Sequence, residues 1–270
     1  MLDSPVGARG RRRWRSSALA IVALAALCAG PASAEVSQKG DLFVRFGGAI
    51  SPRALPREAL APISVRIEGA IRALHGQSPP ALRRITIALN RAGRLDTLGL
   101  AVCRRAQIAL AAPSEALAAC GPALVGAGGI VAKTALPDQP ASLLRGDVLL
   151  FNGIAHGRPA ILAHIYQSAP APDTRIVVFS IRHTRGTFGT RITGQLPPSL
   201  NRDGYLTSIF LQLERRYVYH GRSRAFLSAS CAAPAGFPGA VFPFARTSMS
   251  FEGGRTISAV LVRSCRVRGK

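Results

Sequence analysis

Apolar and polar residues alternate with a period of two along much of this chain. In "ISVRIEGA" (63–70), Ile63, Val65 and Ile67 fall on one face and Ser64, Arg66 and Glu68 on the other. "RITIALN" (84–90) sets Ile85, Ile87 and Leu89 against Arg84, Thr86 and Ala88 in the same way. That period marks strands buried on one side. Between them, "HGQSPPAL" contains two prolines and cannot continue a ladder, so the two segments read as a strand pair joined by a loop. Further strands are expected at 146–153, 158–167, 174–183, 187–196, 204–214, 224–231 and 255–265, with Gly, Pro, Asn and Asp in nearly every interval. Apolar stripes of helical period are few. The pattern predicts a mainly β protein, an antiparallel β-sandwich-like fold built as one large or two packed sandwiches, rather than alternating βαβ units.

One stretch departs from this period. Pro113 and Ser114 begin a run of good helix formers, "EALAAC", with Ser114 as the expected N-cap, and Gly121 and Pro122 end it after two turns. A single short helical excursion is therefore expected near 114–120. A helix of that length is marginal in water without tertiary support. The glycine-rich "ALVGAGGIVAKTAL" that follows reads as a strand.

The first 34 residues carry a different pattern. Arg9, Arg11, Arg12, Arg13 and Arg15 precede a 12-residue apolar run, Ala18–Ala29, and then Ala32, Ser33 and Ala34. This is the grammar of a secretory leader cleaved after Ala34, and the run is well below the roughly 20 residues of a membrane span. Leu27 before Cys28 argues against a lipid anchor, and Trp14 and Arg15 fit poorly with twin-arginine export. The expected product is an exported domain, 35–270, with a possible subdivision near 135–145. No later window has the length and apolarity of a transmembrane span.

Export changes the reading of the cysteines. Cys103, Cys120, Cys231 and Cys265 follow the leader, and an oxidising compartment permits them to pair. Four cysteines allow three connectivities; proximity favours Cys103–Cys120 and Cys231–Cys265. None has the close Cys or His neighbour of a zinc site.

The charge balance is strongly basic: 35 Lys+Arg against 13 Asp+Glu, or 30 against 12 and a net +18 once residues 1–34 are set aside. Such a field attracts polyanions. In an exported protein the expected partner is an anionic envelope polymer or polysaccharide rather than nucleic acid. Only Lys39, Lys133 and Lys270 are lysines, and so arginine-rich a composition also fits a high-GC genome without selection for binding. The arginines are dispersed, but "LERRYVYHGRSRAF" (213–226) mixes them most densely with aromatics. Arg215, Arg216, Arg222 and Arg224 with Tyr217 and Tyr219 are the candidate binding residues, provided their rings are exposed; as a strand and turn, the same segment would pack those rings inward.

Catalytic signatures are missing from the sequence: there is no GxSxG, HExxH, Walker loop or dinucleotide fingerprint, and "GAGG" (126–129) lacks the Lys-Ser/Thr of a phosphate loop. No cofactor and no catalytic residue is assigned. His164 lies in the apolar run "ILAHIY", where a buried imidazole bonded to a carbonyl is expected. His183 and His220 adjoin arginines; His75 and His156 precede glycines in loops. The leading expectation is a non-enzymatic structural or binding module of the envelope or exterior. Two alternatives accompany it: a binder of anionic polymer through an arginine-rich β surface, and a secreted hydrolase assembled from distant residues, which would hold His164 or His183 against an acid in a polar pocket.

The succession "LDTLGLAVCRRAQI…ALAACGPALVGAG", together with "RGTFGTRITGQLP" (185–197), "FLSASCAAPAGFPGAVFPFARTSMSF" (226–251) and "TISAVLVRSC" (256–265), resembles exported β-rich proteins of high-GC Gram-positive bacteria with paired cysteines. The resemblance implies secretion, a β-rich fold and disulfides. It brings no activity or ligand with it.

Overall fold

The structure is a computed structural model that describes residues 34–134, 142–169, 171–197 and 204–269. The leader expected at 1–34 lies outside these residues except for Ala34, and the possible subdivision near 135–145 lies outside them except for 142–145.

In chain order the strands are β1 (Ala34–Lys39), β2 (Leu42–Ser51), β3 (Ala54–Leu55), β4 (Ala61–Pro62), β5 (Ser64–Ala73), β6 (Leu82–Asn90), β7 (Gly93–Leu95), β8 (Leu124–Thr134), β9 (Leu143–Ala155), β10 (Arg158–Gln167), β11 (Asp173–His183), β12 (Phe188–Gln195), β13 (Gly204–Leu213), β14 (Arg216–Tyr219), β15 (Arg222–Ala225), β16 (Leu227–Ala229), β17 (Gly239–Phe251) and β18 (Thr256–Val267). Two helices, α1 (Arg105–Ile108) and α2 (Pro113–Cys120), interrupt them. Thirteen strands join one sheet in the order β1-β2-β5-β13-β8-β9-β10-β11-β12-β6-β17-β18-β3. Every pairing in it is antiparallel except β18 with β3. The fold is thus mainly β, and the strands expected to divide between two sheets belong to one continuous ladder that curls.

Residue alternation sets the two faces. Leu42, Val44, Phe46 and Ile50 of β2, Val65 and Ile71 of β5, Val148 and Leu150 of β9, Val177 and Ile181 of β11, and Ile257 and Leu261 of β18 all enter one apolar core. The alternate positions face outward and are mixed: Arg45, Arg66, Arg72 and Arg182 reach solvent, Leu149 and Phe151 lie under the helices, and Val260 and Val262 are exposed. The apolar interior is the reverse of the polar-in, apolar-out pattern of membrane-spanning barrels. Among the described residues no helix is long and apolar enough to cross a membrane.

The curl brings the edge strand β1 alongside β18 without a backbone ladder between them. Side chains bridge the seam: Ser37 Oγ donates to the Ser258 carbonyl (3.3 Å), Lys39 Nζ to that of Thr256 (3.4 Å) and Arg263 Nε to that of Gly48 (2.6 Å). Burial lowers the pKa of the Arg263 guanidinium, against the raising influence of the Glu35 carboxylate.

The end of the sheet where β9 turns into β10 also carries the small sheet β4-β16-β7 and the hairpin β14–β15. Cys231–Cys265 ties the chain after β16 to β18, and Cys103–Cys120 closes the helical excursion, so both pairings follow sequence proximity.

Several details depart from the sequence reading. β5 and β6 are not partners: β5 lies between β2 and β13, and β6 between β12 and β17. Ser114 is not the N-cap of α2. Ala112 holds that position, Pro113 occupies the first turn, and Glu115 accepts from the Ala112 N–H (2.8 Å). The predicted strand at 224–231 splits into the end of β15 and β16.

Candidate functional site

The helical excursion lies on the outer face of the sheet. Ile108, Ala116, Cys103 and Cys120 pack on Leu149, Phe151 and Leu162, which point away from the main core and form a second, smaller one. This is why β9 and β10 are buried on both faces in mid-strand. His164 lies beneath it, fully buried; its Nε2 donates to the Ala111 carbonyl (2.8 Å), which Thr174 Oγ1 also reaches (3.0 Å). That bond fixes the ring proton on Nε2, and Nδ1 has no partner among the described residues. An enclosed, apolar setting with a carbonyl as its partner is that of a structural imidazole. His183 is exposed at the end of β11.

The hairpin β14–β15 collects the six candidate residues, but it turns most of them inward. Tyr217 pairs with Arg224 and Tyr219 with Arg222 across the ladder, placing the four on one side, from which Tyr217, Tyr219 and Arg224 clasp the 96–99 loop. Tyr217 Oη donates to the Leu98 carbonyl (2.9 Å), and Arg224 Nη1 pairs with Asp96 (2.8 Å). The Tyr219 ring lies flat on Gly99, where an added Cβ would come within 2.1 Å of it. Arg215 donates to the Pro122 carbonyl. Burial raises the pKa of the Tyr217 phenol, as does the Asp96 carboxylate, while Arg224 opposes them. Arg216 and Arg222 remain exposed. Tyr217, Tyr219 and Arg224 therefore fasten a loop, with both rings half-buried against it.

A second concentration of arginine lies on the outer face of β11, β12, β6 and β17. Cross-strand register places Arg182 directly opposite Arg191, Arg191 beside Ala88, and Ala88 beside Arg246. The stems of Arg191 and Arg246 flank the small Ala88, and Phe188 supports the Arg246 guanidinium at 4.6 Å from its ring centroid. A groove of about 560 Å³ over Ala88 is lined by Arg185, Arg191, Arg246, Thr86 and Ser248 among others. Beyond the Arg182–Arg191 ridge a second groove, of about 800 Å³, runs along β11 between Arg105 of α1, His156 of the β9–β10 turn, Arg158 of β10, and Arg182.

Among the described residues no carboxylate lines either groove. The ion pairs among the described residues lie elsewhere, at Arg83–Glu252, Arg175–Asp173, Arg224–Asp96 and Arg255–Asp41. Like charges directly opposite one another destabilise a sheet pair. Arg182 opposite Arg191 thus creates a local positive potential with no carboxylate among the described residues of the two grooves to neutralise it, which a bound anion would relieve. The disulfide contributes to this geometry, because it holds α1, and with it Arg105, as one wall of the longer groove.

These arginines come from α1, a turn and four strands, and no short segment contains more than three of them. The available signal was the lack of any acid in "RIVVFSIRHTRGTFGTRITGQ" (175–195) and "RITIALN" (84–90). Compared with protein-family models, with curated proteins and with solved structures, the chain matches none.

Proposed function

We propose that the protein is an exported, non-enzymatic binding module of the cell envelope or exterior that holds an anionic polymer on the outer face of β11, β12, β6 and β17. The observation that carries this reading is the pair of adjoining grooves lined by six arginines, with hydroxyls between them and, among the described residues, no carboxylate. Guanidinium forks match carboxylate, sulfate and phosphate oxygens in bidentate fashion. The scaffold suits such a role: a disulfide-stapled β module whose curled halves face each other across an apolar interior in sandwich-like fashion. Export is supported by the leader pattern and the two disulfides, and kinship with the exported β-rich proteins of high-GC Gram-positive bacteria is part of the same proposal. Outside the cytoplasm an envelope polymer or polysaccharide is the partner, not nucleic acid.

The test is a salt titration of binding to heparin-like, polyuronate and polyphosphate chains. Each contact between an arginine and an anionic group releases counterions, so the slope of log affinity against log salt counts contacts. Arg191→Ala with Arg246→Ala should reduce that slope by about two and weaken binding severalfold or more. The control is Arg216→Ala with Arg222→Ala on the exposed hairpin, which should change little. Equal losses from the two double variants would refute a localised site.

A further inference from the structure

The register of the outer face points to a particular class of polymer and to its direction. We infer that the ligand is an acidic polysaccharide carrying a carboxylate on its sugar rings, and that it lies across the strands rather than along them; this rests on the polyanion reading above. Two parallel rows support it. Ser180 of β11 stands beside Thr193 of β12, then Thr86 of β6, Ser248 of β17 and Ser258 of β18, an unbroken line of hydroxyls over five strands. Two residues further along each strand runs the second line: Arg182, Arg191, Ala88, Arg246 and Val260.

Spacing between strands is about 4.8 Å, so the hydroxyl line extends roughly 19 Å, and the arginine line runs parallel to it about 7 Å away. Ser180 donates to the Thr193 carbonyl at 3.2 Å, Ser258 donates to Ser248 at 3.2 Å, and Thr86 and Thr193 are 3.4 Å apart, which leaves hydroxyl acceptors along the line and the donors of Ser248 and of one threonine for a ligand. A ligand complementary to both lines is an extended chain with anionic groups along one margin and hydroxyls or ring oxygens along the other. A chain of uronate pyranoses supplies a carboxylate and hydroxyls on every sugar, and its advance per sugar is comparable with the step between strands. A polyphosphate or nucleic-acid backbone offers charge without the hydroxyl margin.

The experiment compares galacturonate oligomers of increasing length with polyphosphate chains of matched charge, using the wild type, Thr86→Val/Ser248→Ala and Arg191→Ala/Arg246→Ala. Affinity for the oligouronates should climb with length and level off at about five sugars, the number that the five strands accommodate. Thr86→Val/Ser248→Ala should weaken oligouronate binding about tenfold while leaving the salt slope and polyphosphate binding unchanged. Unchanged oligouronate affinity in that variant, or polyphosphate binding as tightly as uronate, would overturn the polysaccharide assignment yet leave the polyanion face standing. Failure of every polyanion to bind, or a salt slope indifferent to Arg191 and Arg246, would remove both.

Discussion

Replacing Cys103 and Cys120 with alanine should unfasten the helical excursion and leave the sheet intact. The bridge spans 17 residues, and the loop-entropy relation gives such a cross-link about 3 kcal/mol. The main apolar anchor of the segment is Ile108, whose burial contributes about 1.5–3 kcal/mol, and the two bonds accepted by the Ala111 carbonyl add about 1 kcal/mol each. α1 has four residues and α2 eight, too few to persist on helical propensity. Losing the cross-link should therefore lower exchange protection across 104–120 by about a hundredfold, since every 1.4 kcal/mol corresponds to a factor of ten. His164 should become reactive toward an imidazole-modifying reagent. Polyanion affinity should fall because Arg105 no longer walls its groove. Residue-resolved hydrogen exchange is the assay. Protection lost evenly through β2, β5 and β18, or unchanged over 104–120, would refute a local staple.

Three further outcomes follow from close contacts and charge. Gly128→Ala should severely destabilise the protein in chemical denaturation, because its Cβ would lie 1.9 Å from the Phe210 carbonyl oxygen and push β8 from β13; wild-type stability would disprove that close approach. Asp96→Ala removes both the partner of Arg224 and the acceptor of the Leu98 N–H, and should cost about 2 kcal/mol, read as a lower denaturation midpoint with faster proteolysis of the hairpin. For Tyr217, the unfolded phenol ionises near pH ~10. The folded one is held protonated to higher pH, so between the two the native state binds more protons and stability falls as pH rises. Tyr217→Phe should flatten that alkaline slope, and an unchanged slope would contradict the assignment.

Alternation revealed the strands, and Ile85, Ile87 and Leu89 do face inward while Arg84, Thr86 and Ala88 face out. It could not name neighbours, because pairing depends on contacts distant in sequence; β5 and β6, adjacent in the chain, lie in different parts of the ladder. β17 escaped prediction because Pro243 interrupts it, and the structure absorbs this proline at a register shift between Pro243 and Ala245. Cysteine proximity sufficed for both disulfides, since each joins segments that the chain itself keeps close. The candidate site was the hardest to see for a related reason. Local density drew attention to 213–226, where Arg215, Tyr217, Tyr219 and Arg224 serve the hairpin's own attachment. A sheet instead assembles its surface one residue per strand, so Arg182, Arg191 and Arg246 become neighbours through register alone.

The side-chain seam between β1 and β18 also constrains the order of events in folding. Ser37 and Ser258 are 221 residues apart, and Gly48 and Arg263 are 215 apart. Contacts of such separation form slowly, because almost the whole chain must be ordered before they can be made. The meander β8–β12 can pair locally and early, whereas the edges of β1 and β18 stay open until the last strand arrives. Unpaired edges invite association with other chains. The interval before closure is thus when this protein is most prone to aggregate, and Lys39 and Arg263 at the seam place charge on both edges during that interval.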